Sequence, residues 1–69
     1  MDARLRERLR SARKYQRISL RALAKEIGSN YGHLSQVENG KIDPSVSLLE
    51  RMLEPLGLEI TFVRKDLAD

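Results

Sequence analysis

The sequence predicts a mainly helical domain, four helices followed by one C-terminal β-strand that pairs across a dimer. Three observations predict it. Apolar residues recur at three- and four-residue spacing in four separate stretches, the period of an α-helix face. Each stretch opens on a capping residue, and three of the four end beside glycine or proline. From Leu58 the apolar period shortens to two, which is the period of a strand.

The first stretch, from Asp2 to about Gln16, carries Leu5, Leu9 and Ala12 on one stripe, with Arg4, Arg6, Arg8, Arg10, Arg13 and Lys14 distributed around it. Asp2 is its expected cap, and a carboxylate also suits the positive end of the helix dipole. Ser19 is placed to cap a second, short helix with Leu23, Ala24 and Ile27 facing inward; Gly28 supplies the left-handed residue that ends it. Asn30 caps a third, in which Leu34 and Val37 face inward and Gly40 stops the run. The fourth starts in Asp43-Pro44-Ser45, with either Asp43 capping and Pro44 at the first position or Ser45 capping, and buries Val46, Leu49, Met52, Leu53 and Leu56. Pro55 is expected to kink or stop it by Glu54.

Leu58, Ile60 and Phe62 then alternate with Glu59, Thr61 and Val63 before Arg64-Lys65-Asp66. A lone strand in a helical chain leaves its backbone donors and acceptors to water or to another chain. Pairing with the same strand of a second copy is the simplest resolution, and an intrachain cover for the core is the alternative. Residues 1–65 read as one domain and 66–69 as a short tail.

Composition narrows the function classes. A chain of 69 residues buries a modest core, so self-association is the expected supplement to its stability. It has no Cys and a single histidine, His33, which excludes disulfides, thiolate metal sites and a structural zinc; no metal and no cofactor is expected. No nucleophile–base set and no glycine-rich phosphate loop is present, so the chain is not read as an enzyme. No apolar run approaches the roughly 18 residues of a membrane span, and Met1-Asp2-Ala3-Arg4 does not resemble the start of a signal peptide. No membrane association and a cytoplasmic location are expected. The net charge of +3 is unevenly spread: residues 1–21 hold eight basic side chains and two acids, whereas the remaining 48 hold five and eight. A basic N-terminal part beside a mildly acidic remainder is a one-sided electrostatic footprint.

The stretch Ser19-Leu20-Arg21-Ala22-Leu23-Ala24-Lys25-Glu26-Ile27-Gly28-Ser29-Asn30-Tyr31-Gly32-His33-Leu34-Ser35-Gln36-Val37-Glu38-Asn39-Gly40-Lys41 resembles the helix-turn-helix of the xenobiotic-response-element, or lambda-repressor-like, family. The resemblance rests on Leu23-Ala24, Gly28 at the turn, Leu34-Ser35-Gln36, the exit Glu38-Asn39-Gly40-Lys41 and the Asp43-Pro44-Ser45 start; it covers roughly residues 5–57. Two positions depart from the family pattern. Ser29 stands where an apolar residue usually plugs the turn, and Gly32 stands early in the recognition helix where a base-reading side chain is common. The strand at 58–63 resembles the C-terminal strand of HipB-like antitoxin subunits, which pair in dimers.

The resemblance implies a sequence-specific binder of double-stranded DNA. In this motif the N-terminal residues of the second helix of the pair point at base edges in the major groove. Tyr31, His33, Ser35 and Gln36 are then the base readers, Gln36 foremost, because its amide both donates to and accepts from adenine. For Tyr31 and His33 partial packing against a neighbouring helix is the alternative. Phosphates fall to the N-termini of the second and third helices and to Arg13, Arg17, Ser19, Arg21, Asn30, Asn39 and Lys41. Arginines before Arg10 are read either as a solvated face or as part of the same footprint. Leu58, Ile60 and Phe62 are the dimerisation residues. The functional expectation is a dimeric repressor of an inverted-repeat operator; the alternative is an antitoxin that binds a toxin protein partner and represses its own operon.

Overall fold

Each helix starts on a side chain that satisfies a backbone N–H the helix itself leaves free. The computed structural model describes residues 1–67. In it, Asp2 Oδ1 accepts from the Arg4 amide at 2.6 Å and opens α1 (Ala3–Tyr15). Ser19 Oγ accepts from the Ala22 amide at 3.0 Å and opens α2 (Leu20–Glu26). Asn30 Oδ1 accepts from the His33 amide at 2.9 Å and opens α3 (Tyr31–Glu38). Ser45, rather than Asp43, caps α4 (Val46–Leu53), accepting from the Leu48 amide at 3.0 Å. Asp43 is engaged elsewhere: the Met1 ammonium donates to its carboxylate, and this hydrogen bond holds the carboxyl below its ordinary range.

The ends are closed by one repeated device. Four times a residue in the left-handed region donates its amide three residues back while the next donates five residues back, the Schellman pattern. The pairs are Arg17–Lys14 with Ile18–Arg13, Gly28–Lys25 with Ser29–Ala24, Gly40–Val37 with Lys41–Gln36, and Gly57–Glu54 with Leu58–Leu53, all 2.8–3.3 Å. Three of the left-handed residues are glycine; the fourth, Arg17 at φ +58°, is the only non-glycine residue with positive φ among those described. At Gly40 the left-handed backbone also lies under the Arg6 guanidinium, where a β-carbon would fall 2.5 Å from Arg6 Nη1. Pro55 acts as expected: the α-helix ends at Leu53 and the chain continues as a 3-10 turn over Glu54–Leu56.

Leu9, Leu23, Ala24, Leu34, Val37, Met52 and Leu56 form the buried core, with Leu20, Ile27, Leu49 and Leu53 among those packed around it. α3 lies against both α1 and α2, and this arrangement fixes its orientation. Two residues expected inside are not: Leu5 and Val46 are exposed. Both sit in the first turn of their helices, and a domain this small lacks the surface to cover both ends of a stripe. The 3-10 turn is tied to α1 by Gln16, whose side-chain amide donates to the Leu56 carbonyl at 2.6 Å.

The strand expected over 58–63 does not form in the single chain. Leu58–Arg64 has no regular secondary structure and leads into a short 3-10 turn at Lys65–Leu67. Leu58, Ile60, Phe62 and Val63 are all exposed. A strand is stabilised by a hydrogen-bonded neighbour, and no strand exists among the described residues to provide one. Residues 68 and 69, part of the expected tail, lie outside the described residues.

Candidate nucleic-acid interface

The face of α3 that packs inward is set by Leu34 and Val37, both fully buried, and by Glu38 at 3 % exposure. At about 100° per residue, the opposite arc then carries Gly32 and Gln36, with Ser35 on its edge, while Tyr31 in the first turn lies on the flank next to Glu38. Tyr31, Gly32 and Gln36 are exposed and Ser35 is half-buried. Gly32 at the centre of this arc leaves backbone open where most residues would project a side chain. His33 is half-buried on the flank beside Val37, away from the centre of the open arc. Ser35 Oγ accepts from Asn39 Nδ2 at 3.2 Å, which orients its hydroxyl hydrogen away from that neighbour.

Around the rim lie most of the residues expected to meet phosphate. Arg17, Ser19, Arg21, Asn30, Asn39 and Lys41 are all exposed. Ser19 and Asn30 use their oxygens as caps, which leaves the serine hydroxyl hydrogen and the Asn30 amide group as outward donors. Arg21, the second residue of α2, stacks on the ring of Tyr31, the first residue of α3, with Cζ 4.4 Å from the ring centroid. Leu58, Ile60 and Phe62 lie exposed on the irregular C-terminal segment.

Arg13 is the correction. Expected to grip phosphate, it is 8 % exposed, and its guanidinium is consumed inside the protein. Nε donates to Glu38 Oε2 at 2.7 Å, Nη2 to Glu38 Oε1 at 2.9 Å and Nη1 to the Ile18 carbonyl at 2.8 Å. A planar guanidinium matches a carboxylate edge to edge, and burial makes it costly to leave either partner alone. The signal was present in the sequence: Arg13 follows Leu9 by four residues and Glu38 follows Leu34 by four, so both charges sit on apolar stripes.

Two further arginines escaped the sequence reading. Arg10 Nη2 donates to the Glu38 carbonyl at 2.8 Å and to Asn39 Oδ1 at 3.3 Å, capping the C-terminus of α3 from α1. Arg51 of α4 donates to the Ile27 carbonyl at the end of α2. Neither pairing is local in sequence. Together these contacts hold both helices of the motif from behind, and no buried side-chain nitrogen or oxygen among the described residues lacks a partner. Among the same residues, no three His, Asp or Glu side chains gather closely enough to hold a metal ion, and no helix is long and apolar enough to cross a membrane.

Comparison with known proteins agrees with this geometry. The Helix-turn-helix family model matches residues 9–63. An uncharacterized HTH-type transcriptional regulator of Sinorhizobium fredii is 36 % identical over 61 residues, covering 88 % of this chain and 31 % of that protein. The chain thus spans about a third of the length of that relative. No solved structure matches.

Proposed function

The chain belongs to the helix-turn-helix family, and from that premise we propose that it is a sequence-specific DNA-binding transcriptional regulator, acting as a dimeric repressor at an inverted-repeat operator. The observation that carries this reading is the asymmetry of α3: one face is locked to α1 and α2, while the other leaves Gly32 and Gln36 open to solvent, flanked by half-buried Ser35 and by exposed Tyr31 with Arg21 over its ring. A helix presented in this way fits the major groove, where base pairs differ in their donor and acceptor patterns. Family membership points to binding rather than catalysis.

On this reading Gln36 pairs with adenine, Tyr31 meets a thymine methyl or a phosphate, and Ser35 donates to a base edge. His33, on the flank, donates to the backbone or to the adjacent base. Arg17, Ser19, Asn30, Asn39 and Lys41 hold the register through phosphates without specifying sequence. The exposed Leu58, Ile60 and Phe62 supply the dimer contact, as one strand from each copy would satisfy the other's edge. Two-fold symmetry then places the recognition helices about 34 Å apart, one turn of DNA.

Selection from a randomised duplex library, read with sedimentation of the free protein, tests the proposal. The expected outcome is an enriched inverted repeat bound by two chains. Gln36→Ala relaxes one base pair in each half-site by about 1–3 kcal/mol, whereas Lys41→Ala weakens all sequences alike and lowers the salt slope by about one. Failure to enrich any inverted repeat overturns it. A monomer in solution whose exposed C-terminal segment is ordered only by a different protein favours the second reading, an antitoxin that takes a toxin through Phe62 and its neighbours. Phe62 is fully exposed in the single chain, and that observation supports both occupants.

A further inference from the structure

The stacked pair at the head of the motif has a role that position alone does not assign. Arg21 belongs to α2 and Tyr31 to α3, yet the guanidinium lies 4.4 Å over the ring. Both side chains are exposed, and Arg21 makes no hydrogen bond to protein among the described residues. An arginine at a protein surface ordinarily samples many rotamers; one held over an aromatic face is restrained while its N–H groups remain free to donate.

We propose that Arg21 is a base-reading residue, with Tyr31 as the platform that aims it, and that the pair selects a guanine at the position facing the start of α3. This rests on the DNA-binding reading above and changes the part assigned to Arg21 from positioning to specificity. A guanidinium edge donates two parallel hydrogen bonds to guanine O6 and N7, a geometry no other base offers in the major groove. Tyr31 is the first residue of α3, so a group held on its ring lies at the end of the helix that enters the groove first. The stack removes rotamer freedom before DNA arrives, and preorganisation of this kind strengthens a directional contact more than a diffuse ionic one.

Arginine and lysine separate the two roles, because lysine keeps the charge and loses the fork. The experiment is library selection and quantitative binding for the wild type, Arg21→Lys and Tyr31→Leu, each checked for wild-type thermal unfolding. The expected result is that Arg21→Lys loses discrimination at one G·C pair per half-site by roughly 5- to 150-fold, with its salt dependence unchanged, and that Tyr31→Leu relaxes the same pair. An Arg21→Lys protein that keeps every base preference and is weakened uniformly overturns the proposal and returns Arg21 to the phosphates. Relaxation by Arg21→Lys with none at that pair by Tyr31→Leu overturns the platform. A wild type that enriches no sequence defeats the parent DNA-binding reading instead, and this proposal with it.

Discussion

The α2–α3 pair and the C-terminal segment sit in one small chain and are built on opposite principles. In residues 19–41 each end is capped, the inner faces are buried, and arginines reach in from α1 and α4 to hold both helices. In residues 58–64 the four large apolar side chains face solvent and the backbone has no regular pairing. The contrast shows which parts of the molecule are complete in one copy. The α2–α3 pair has its geometry fixed from within, while the segment after Gly57 leaves its apolar side chains uncovered in the single chain, which the proposed dimer would cover.

Substitutions that break the first region should therefore be costly, and those in the second nearly silent until chains associate. The largest effect is expected from Glu38→Ala, which leaves the Arg13 guanidinium buried and unpaired. A loss of about 3–5 kcal/mol is anticipated, enough to unfold much of a domain this size, and urea denaturation would measure it; a loss below about 1 kcal/mol would contradict the structural role given to the pair. Met52→Ala, which empties a fully buried position, should cost about 2–5 kcal/mol in the same assay. Asn30→Ala removes the cap of α3 and should cost about 1 kcal/mol, with faster hydrogen exchange confined to the His33 and Leu34 amides.

Arg17→Gly should go the other way. A β-carbon in the left-handed region costs about 1–2 kcal/mol, and the added freedom of glycine in the unfolded chain takes back about 0.5–1 kcal/mol. The net gain in stability is about 0–1.5 kcal/mol, visible as a rise in Tm, while in the proposed complex DNA affinity falls through the lost charge. Phe62→Ser is the smallest change in the isolated chain, within about 0.5 kcal/mol. In the proposed dimer the same substitution should abolish the rise of Tm with protein concentration that coupled association produces. A concentration-independent Tm in the wild type would remove the contrast between the two regions.

Much of the fold was legible because its determinants are local. Asp2, Ser19, Asn30 and Ser45 act within three residues of themselves, as do the glycines at 28, 40 and 57, so most helix boundaries could be read off a short window, the exceptions being the choice of Ser45 over Asp43 and the end of α1 on Arg17. The open face of α3 followed from the buried face, which two apolar residues defined. Arg13 was misread because its partner lies 25 positions away: charge density suggests an outward face, and only the coincidence of two charges on apolar stripes points inward. The Arg21–Tyr31 stack depends on the angle between α2 and α3, which no window of sequence contains. The strand was legible as a pattern, but a period of two describes the alternation of side chains, whereas a strand also needs a neighbour.

The triple engagement of Arg13 has a consequence for how such a chain diversifies. One guanidinium clasps the last residue of α3 and the carbonyl of Ile18, just ahead of α2, so the pose of the motif is anchored away from the open face of α3. The side chains at 35 and 36 take no part in that anchorage beyond the Ser35–Asn39 bond, whereas Tyr31 also contacts α2 through Arg21. On the proposed DNA-binding reading, descendants of this sequence can therefore exchange side chains at 35 and 36 one at a time, acquiring new targets while inheriting an unchanged angle of approach.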